Sequence, residues 1–429
     1  MSSYKKNEWE KVVRDLDSLI KENDWSENFS QAIHDAKSAN VPDLDRINSL
    51  EDYMNAINEF LFWKPTENER GDVVYNKICL FYWILNQKTL SSLQSETLPK
   101  AVGKPLTVLS AWMVEYAKAL GTFYDTTESI NKETIDTFYH SPPYHMEIYE
   151  RPPNDWQTFN EFFARHVKPG ERDPDHPQDN RYIVSAADSV FDGWWDVNSD
   201  SEVIFVKGIP WNISSLLEGS KFADAFRGGK FMHAFLNTTD YHRQQAPVGG
   251  KILEAKVISG AVYLEVVPTT DNTPQSLPVG GGPLPERRNK FAMRRRLEAG
   301  KTDANIIRRE YQHIPLSRGD ESMTPVKGVE APDNPGYQFL QARGCIVIES
   351  DIGLVAVLPI GMAQVSSVRL SVAEGDTVNK GKEISYFQFG GSDIVLVFEP
   401  GSQVDLTAKK GVHYNTGKTI GTAKIPTRD

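Results

Sequence analysis

The sequence predicts an α+β protein in which a helical amino-terminal region caps a strand-rich, barrel- or sandwich-like domain. Apolar residues recur at helical spacing up to about residue 140, a proline-rich connector follows, and β-branched and aromatic residues partly alternate after residue 182. The chain has 429 residues, 39% hydrophobic and 24% charged, which is typical of globular proteins. At about 100–200 residues per domain this length predicts two or three units. We place the boundary near residue 150, with domains at 1–150 and 151–429.

The helical prediction for the first domain depends on three segments. Residues 7–23 carry Trp9, Val12 and Leu16 at three- and four-residue spacing, and residues 53–63 and 108–120 repeat the pattern. Prolines separate these segments, as expected between helices: Pro42, Pro65 and Pro105. No catalytic combination of residues is visible here, so a scaffold or a dimer surface is the expected role.

Short strand-like segments separated by glycine turns fill most of the second domain, which is typical of a compact barrel or sandwich. A polar insertion interrupts them at 269–335. It contains a glycine triplet without the Lys-Ser/Thr of a phosphate loop, and an arginine-rich stretch at 287–296. We expect a solvated helix face for this stretch, with an active-site lid or a contact to anionic lipid as the alternatives.

Composition excludes several classes of function. The net charge of −11 disfavours a nucleic-acid-binding surface. The first residues have no apolar signal core, and no run of about 18 apolar residues is present. We therefore expect a soluble, cytoplasmic protein with no stable membrane insertion. Cys79 and Cys345 each lie in an apolar run, so we expect buried thiols and neither a disulfide framework nor a metal site.

Three places could carry chemistry. The Gly390-Gly391-Ser392 segment lies between two strand-like runs and is, by itself, a hairpin turn. Because Gly391 has no Cβ, the Ser392 hydroxyl could also reach the Gly391 carbonyl, the geometry of an N→O acyl shift. His242 ends a strand-like run, where a histidine is more often simply hydrogen-bonded. Asp188 lies between small residues of an apolar region, where a carboxylate needs a partner or belongs to a turn.

In chain order, four motifs resemble those of the phosphatidylserine decarboxylase family, the pyruvoyl-dependent lyases. They cover about residues 157–400: FNEFFARHVKPGERDP, SAADS, FLNTTDYHRQQAPVGGKI and VAEGDTVNKGKEISYFQFGGSDIVLVF. The helical first third and the FGGS sequence are more similar to the soluble branch of the family, which includes fungal amino-acid decarboxylases.

The resemblance implies a role for each candidate. Ser392 would cleave the chain between 391 and 392 and become a covalent pyruvoyl group, the only cofactor expected. Asp188 would orient the activating histidine, and His242 would donate a proton to the decarboxylated carbon. The pyruvoyl ketone would form a Schiff base with the substrate amine, because no side chain can absorb a carbanion.

Two positions depart from the family pattern. Gln245 stands where the family has a second histidine, and a glutamine cannot take up a proton. His242 or His233 would then have to act as the base. Asp393 stands where the family has Thr or Ser, and its charge would either oppose a developing oxyanion or attract a substrate ammonium.

These residues lead to one preferred function and two alternatives. We predict a self-processed carboxy-lyase that removes the carboxyl group of a free amino acid as CO2, with aromatic amino acids among the candidate substrates. Phosphatidylserine decarboxylation is the second reading, and a diverged homologue that does not cleave itself is the third. The predicted partner is a small molecule rather than nucleic acid, and the resemblance leaves a homodimer open.

Overall fold

The computed structural model describes residues 8–39, 41–206, 209–269, 328–331, 336–363, 367–389 and 392–426. Seven α-helices of the described residues precede the proline-rich connector: α1 Lys11–Glu22, α2 Ser26–Ser38, α3 Leu50–Phe60, α4 Val73–Leu85, α5 Lys88–Ser91, α6 Val108–Tyr124 and α7 Lys132–Tyr139. The short α8 Phe159–Phe163 follows the connector, and α9 Ile213–Leu216 lies among the strands. The predicted helical character of the first region is confirmed.

Capping side chains explain where several of these helices begin. Ser49 accepts a hydrogen bond from the Asp52 amide at the start of α3, and Thr107 accepts one from the Ser110 amide at the start of α6. Asn131 and Thr134 form a reciprocal capping box at α7. Each side chain satisfies an amide that has no partner within its helix.

Short strands make up most of the remaining chain. Those before the insertion are β1 Tyr182–Val184, β2 Ser189–Asp196, β3 Val203–Val206, β4 Ile209–Asn212, β5 Lys230–Leu236, β6 Arg243–Gln245, β7 Gly250–Ile258 and β8 Val267–Thr269. The later ones are β9 Gly328–Glu330, β10 Arg343–Ser350, β11 Gly353–Gly361, β12 Val368–Leu370, β13 Thr377–Val378, β14 Glu383–Phe387, β15 Ser392–Phe398, β16 Asp405–Leu406, β17 His413–Tyr414 and β18 Thr419–Thr422.

Eight strands form the main sheet, in the order β13-β7-β10-β11-β15-β5-β2-β17. Every neighbouring pair is antiparallel. The sheet stays open among the described strands, since β13 and β17 are its two ends. The α+β class is therefore confirmed, whereas a closed barrel is not present in the described part of the chain.

Two apolar cores cover the two faces of this sheet, and β15 contributes to both. Ile394 and Leu396 belong to the core that also contains the helical residues Leu16 and Tyr124. Val395 and Val397 belong to a second core, built around Trp211 and Phe339. Because side chains alternate along a strand, Ser392 lies on the face covered by the helices and Asp393 on the opposite face. We call these the helix-covered face and the second face.

Several smaller predictions can be compared with the structure. Cys79 and Cys345 are both buried, as predicted. No helix of the described residues is long and apolar enough to cross a membrane. The arginine-rich stretch 287–296 and the glycine triplet of the insertion lie outside the described residues.

Candidate active site

Ser392 is the first residue of β15 and is fully buried. Its Cα partners are Gly361 on β11 and Leu236 on β5, so strands on both sides fix its backbone. Its Oγ atom has no hydrogen-bond partner among the described residues. A buried hydroxyl without a partner carries a desolvation cost of about 1–3 kcal/mol, so it is rarely a purely structural choice. Gly391, the predicted other side of the scissile bond, lies outside the described residues.

His242 lies in the turn between β5 and β6, and only 1% of it is exposed. Its ring stacks on Phe163 of α8, with 4.0 Å between the ring centroids. Its Nε2 atom is 3.4 Å from the Thr238 carbonyl oxygen, while Nδ1 has no hydrogen-bond partner in the part of the chain that the structure describes. Burial, with a further contribution from the Arg165 guanidinium, lowers the pKa of His242 to about 3.

This environment keeps the imidazole of His242 neutral near pH 7. If Nε2 carries the proton and donates it to Thr238, the Nδ1 lone pair is free to accept one. His242 is therefore suited to take up a proton first and to donate it afterwards. The structure shows no hydrogen bond between His242 and Ser392.

Aromatic side chains surround Phe389, three residues before Ser392. The Phe389 ring lies 4.8 Å from that of Tyr124, 5.3 Å from Phe159 and 5.7 Å from Phe163, centroid to centroid. Its backbone amide donates to the Asn160 Oδ1 atom at 3.2 Å. Helices α6 and α8 thereby hold the segment that leads into Ser392, and Phe163 connects it with His242.

Trp63 extends this aromatic group into the helical region. Its ring lies 6.3 Å from that of Phe389 and also lines a cavity of about 200 Å³ between α3 and α4. Phe60 and Phe81 line the same cavity. No residue of a described strand lines it, so the cavity is separate from the surroundings of Ser392.

Asp188 is buried and has a full set of hydrogen bonds. Arg172 donates to it from Nε at 2.8 Å and from Nη2 at 2.6 Å, and Thr416 donates from its amide at 2.7 Å and its hydroxyl at 2.8 Å. Among the described residues no histidine is hydrogen-bonded to this carboxylate. Sequence reasoning found that Asp188 needs a partner but not that the partner is Arg172. Its role in orienting a histidine stays a prediction.

Gln245, at the position of the missing histidine, lies beside this pair. Its backbone amide donates to the Ala186 carbonyl at 2.8 Å. In the orientation that satisfies both ends of its side-chain amide, the nitrogen donates to the carbonyls of Arg172 and Gly381, each at 3.2 Å. The glutamine therefore holds backbone together next to Asp188, where the family pattern has a proton acceptor.

Another cluster of buried charged side chains lies on the second face. The sequence analysis named two of its residues but did not predict that they lie together. His233 of β5 places Nδ1 3.2 Å from Asp192 and Nε2 3.6 Å from Asp393, and all three side chains are about 1% exposed. Lys410 contacts the other Asp192 oxygen at 2.8 Å. Burial alone would lower the pKa of His233, but Asp393 and Asp192 together raise it to about 9. The available signal was a pair of aspartates inside strand-like apolar runs.

This arrangement separates the two histidines that the sequence offered as substitutes for the missing base. His242 is packed among residues of the helix-covered face, where Ser392 also lies. His233 is on the opposite face, with its Nε2 atom 3.6 Å from the carboxylate of Asp393, the residue after Ser392. The described residues also contain no group of three His, Cys, Asp or Glu side chains that could hold a metal ion.

Comparison with known proteins agrees with the motifs. Residues 159–277 and 303–422 match the model of the phosphatidylserine decarboxylase family, more than half of the chain. The chain belongs to this family.

Individual relatives have diverged widely from this chain. It is 27% identical to decarboxylase iboD of Amanita muscaria, over 57% of this chain and 59% of that protein. It is also 27% identical to L-tryptophan decarboxylase of Psilocybe cubensis, over 59% of this chain and 49% of that protein. A phosphatidylserine decarboxylase proenzyme of Fusobacterium nucleatum shares 27% identity over 68% and 75%. The chain thus spans about three fifths and about half of the two fungal relatives.

Proposed function

We propose that this protein is a pyruvoyl-dependent decarboxylase, a carboxy-lyase that processes itself between Gly391 and Ser392 and acts on a free amino acid. The observation that carries the proposal is the Ser392 hydroxyl at the start of β15, which is fully buried and has no hydrogen-bond partner among the residues described. It directly follows a glycine, which leaves the preceding carbonyl open to attack. Family membership supports the same reading.

The cleavage chemistry can be written from residues of this chain. The Ser392 oxygen attacks the Gly391 carbonyl carbon, the peptide C–N bond breaks and an ester forms, with the nitrogen of residue 392 taking up a proton. Loss of the residue 392 α-proton to a base then breaks the Cβ–Oγ bond and leaves Gly391 as a carboxylate. Water hydrolyses the resulting dehydroalanine, releasing ammonia. The sum is one water consumed and one ammonia released for each pyruvoyl group.

The surroundings of Ser392 fit such a group, because its side chain requires no structural hydrogen bond to be kept. The pyruvoyl group would supply the electron acceptor that the twenty side chains lack. His242 would hold and return the proton at Nδ1, the nitrogen that bonds to no described residue. The rings of Phe163 and Phe389 would exclude water from this region.

The aromatic surroundings support an aromatic amino acid as the substrate. Phe389 precedes the scissile bond and contacts Tyr124, Phe159 and Trp63, which together offer flat apolar surfaces to a ring. The relative from Psilocybe cubensis is named for an aromatic amino acid. Phosphatidylserine is the alternative substrate, since bacterial relatives carry that name.

We also propose a two-domain organisation, 1–150 and 151–429. It is supported by the distribution of elements, since α7 ends at Tyr139 and the first strand begins at Tyr182. One apolar core nevertheless joins the helices to the sheet, so we expect the two parts to unfold together.

Denaturing mass spectrometry of the purified protein tests self-processing. We expect two chains, the smaller comprising residues 392–429 with a blocked amino terminus. Ser392→Ala should give one intact chain whose melting temperature is not lowered, because the substitution removes a buried hydroxyl that bonds to no described residue. Ser402→Ala is the matched control: this serine is also fully buried, donates to the Ile352 carbonyl and should leave cleavage intact. An intact wild-type chain after long incubation would refute the proposal and favour the diverged homologue.

Release of CO2 from a panel of substrates then tests the substrate class. We expect turnover of tryptophan, phenylalanine or tyrosine and little turnover of small aliphatic amino acids. Activity on phosphatidylserine vesicles alone would reject the amino-acid reading while leaving the pyruvoyl chemistry in place.

A further inference from the structure

The residue after Ser392 presents an electrostatic difficulty for self-processing. Asp393 is 1% exposed, and its carboxylate lies one residue from the bond that the proposed function breaks. When the Ser392 oxygen adds to the preceding carbonyl, that carbonyl oxygen gains negative charge. A buried carboxylate nearby raises the energy of such a state unless a cation compensates it.

The structure supplies this cation from the adjacent strand. His233 lies on β5, whose residues pair with β15 from Ser392 to Phe398. Its Cα partner is Val395, two residues beyond Asp393, so both side chains lie on the second face and Nε2 comes within 3.6 Å of the carboxylate. The Phe339 ring packs edge-on against the imidazole at 5.6 Å, which limits its rotation.

A β-bulge in the next strand holds His233 in this position. The register between β2 and β5 shifts between Phe191 and Gly193, so the intervening Asp192 is the extra residue. Its carboxylate contacts His233 Nδ1 at 3.2 Å and Lys410 at 2.8 Å. With both ring nitrogens facing carboxylates, the imidazole is held in its protonated form, consistent with its raised pKa.

Charge alternates along the resulting chain of contacts, Lys410–Asp192–His233–Asp393, and sums to zero. Its two ends, Lys410 and Asp393, both follow the proposed cleavage site, whereas Asp192 and His233 precede it. The contacts therefore connect both products of processing and would outlast the broken bond.

We propose that His233, oriented by Asp192, is a positioning residue for self-processing: its imidazolium compensates the Asp393 carboxylate and holds the start of β15, so that Ser392 can react beside a buried acid. It does not act as the base for Ser392, since it lies on the other face of the sheet. This inference rests on the proposed function, because it concerns the rate of the cleavage proposed above.

If this is correct, the effect of substituting His233 on the cleavage rate depends on whether Asp393 is charged. His233→Gln removes the imidazolium beside Asp393, and we expect cleavage to slow by about 10- to 100-fold. This is less than the roughly 10²- to 10³-fold loss for a direct oxyanion donor, because His233 acts through Asp393. Asp393→Asn removes the charge that needs compensation and should cleave at least as fast as the wild type. In the Asp393→Asn background, His233→Gln should then have little further effect.

The experiment measures cleavage rates of freshly purified full-length chains by denaturing mass spectrometry for the wild type, both single variants and the double variant. His34→Gln is the matched control, because His34 faces Asp35 at 3.4 Å on the surface of α2, and its loss should not change the rate. Equal slowing by His233→Gln in both backgrounds would show a structural role only and overturn the inference, as would an unchanged rate in the single variant. An uncleaved wild type would instead overturn the proposed function itself.

Discussion

Ser392 and Asp393 are neighbours in the chain, but their side chains lie in opposite electrostatic environments. Ser392 faces the helix-covered side, where His242 is neutral and stacks on an aromatic ring. Asp393 faces the second side, where His233 lies between two carboxylates. Both histidines are 1% exposed, yet burial and Arg165 lower the pKa of one to about 3, whereas carboxylates raise that of the other to about 9. Burial alone therefore does not decide the charge of a histidine; its charged neighbours do.

The largest expected effect concerns the neutral histidine. His242→Ala should reduce CO2 release from an amino-acid substrate by about 10²- to 10⁴-fold, the usual range for loss of a general acid or base. The matched control is His34→Ala on the surface of α2, which should keep full activity. If the variant is cleaved but inactive, His242 serves turnover; if it also fails to cleave, His242 replaces the family's second histidine. Wild-type turnover in a cleaved variant would contradict its assigned role.

Asp188 is also a buried charged group, but its partner is an arginine rather than a histidine. Asp188→Asn leaves the buried Arg172 guanidinium without its counter-charge, and we expect a loss of stability of about 3 kcal/mol or more in urea unfolding. Asp179→Asn breaks a similar pair with Arg181 on the surface and should change the unfolding midpoint little. Equal effects of the two substitutions would mean that the Asp188 carboxylate is not a structural ion-pair partner, and would favour a purely catalytic role.

The smallest expected effects are on the pH dependence of stability, and they have opposite signs. The folded pKa of His233 is about 9, above the unfolded value of about 6.5, so its contribution is complete below pH 6.5 and is lost as the pH rises towards 9. The folded pKa of His242 is about 3, so its contribution is present above pH 6.5 and is lost as the pH falls towards 3. Each effect changes the free energy of unfolding by at most about 1.4 kcal/mol for each pH unit.

Urea midpoints between pH 4 and pH 10 measure this difference. His233→Gln should flatten the alkaline side of the stability profile and leave the acid side, and His242→Gln should do the reverse. The slope of the urea midpoint against pH is the quantity to compare, because each substitution also shifts the stability at every pH. Parallel profiles for all three proteins would show that the two environments do not differ in charge as described.

Local sequence patterns predicted much of the fold. Helical spacing and the prolines indicated the first region, and alternation with glycine turns indicated the strands of the second. The order of motifs predicted the family, which was confirmed, and it also predicted Ser392, His242 and Asp188 as a set, which stays a prediction. A closed barrel was one expectation that the described strands do not meet.

Partners across the sheet could not be predicted in the same way. The fragment FMHAF shows only that His233 lies on a strand; that it meets Asp393 depends on the register of β5 with β15. The bulge at Asp192 adds one residue to a strand, and no local pattern marks it. Asp188 likewise meets Arg172 and Thr416, which are far from each other in the chain.

The sequence by itself determined the family, the class of fold, the serine proposed for cleavage and the two departures at Gln245 and Asp393. These depend on residue identity and on spacing within a segment. Only the tertiary structure decided which histidine lies on which face, and which charge each one meets. The physical reason is that a strand separates consecutive side chains to opposite faces, while strand pairing brings together residues that are distant in the chain.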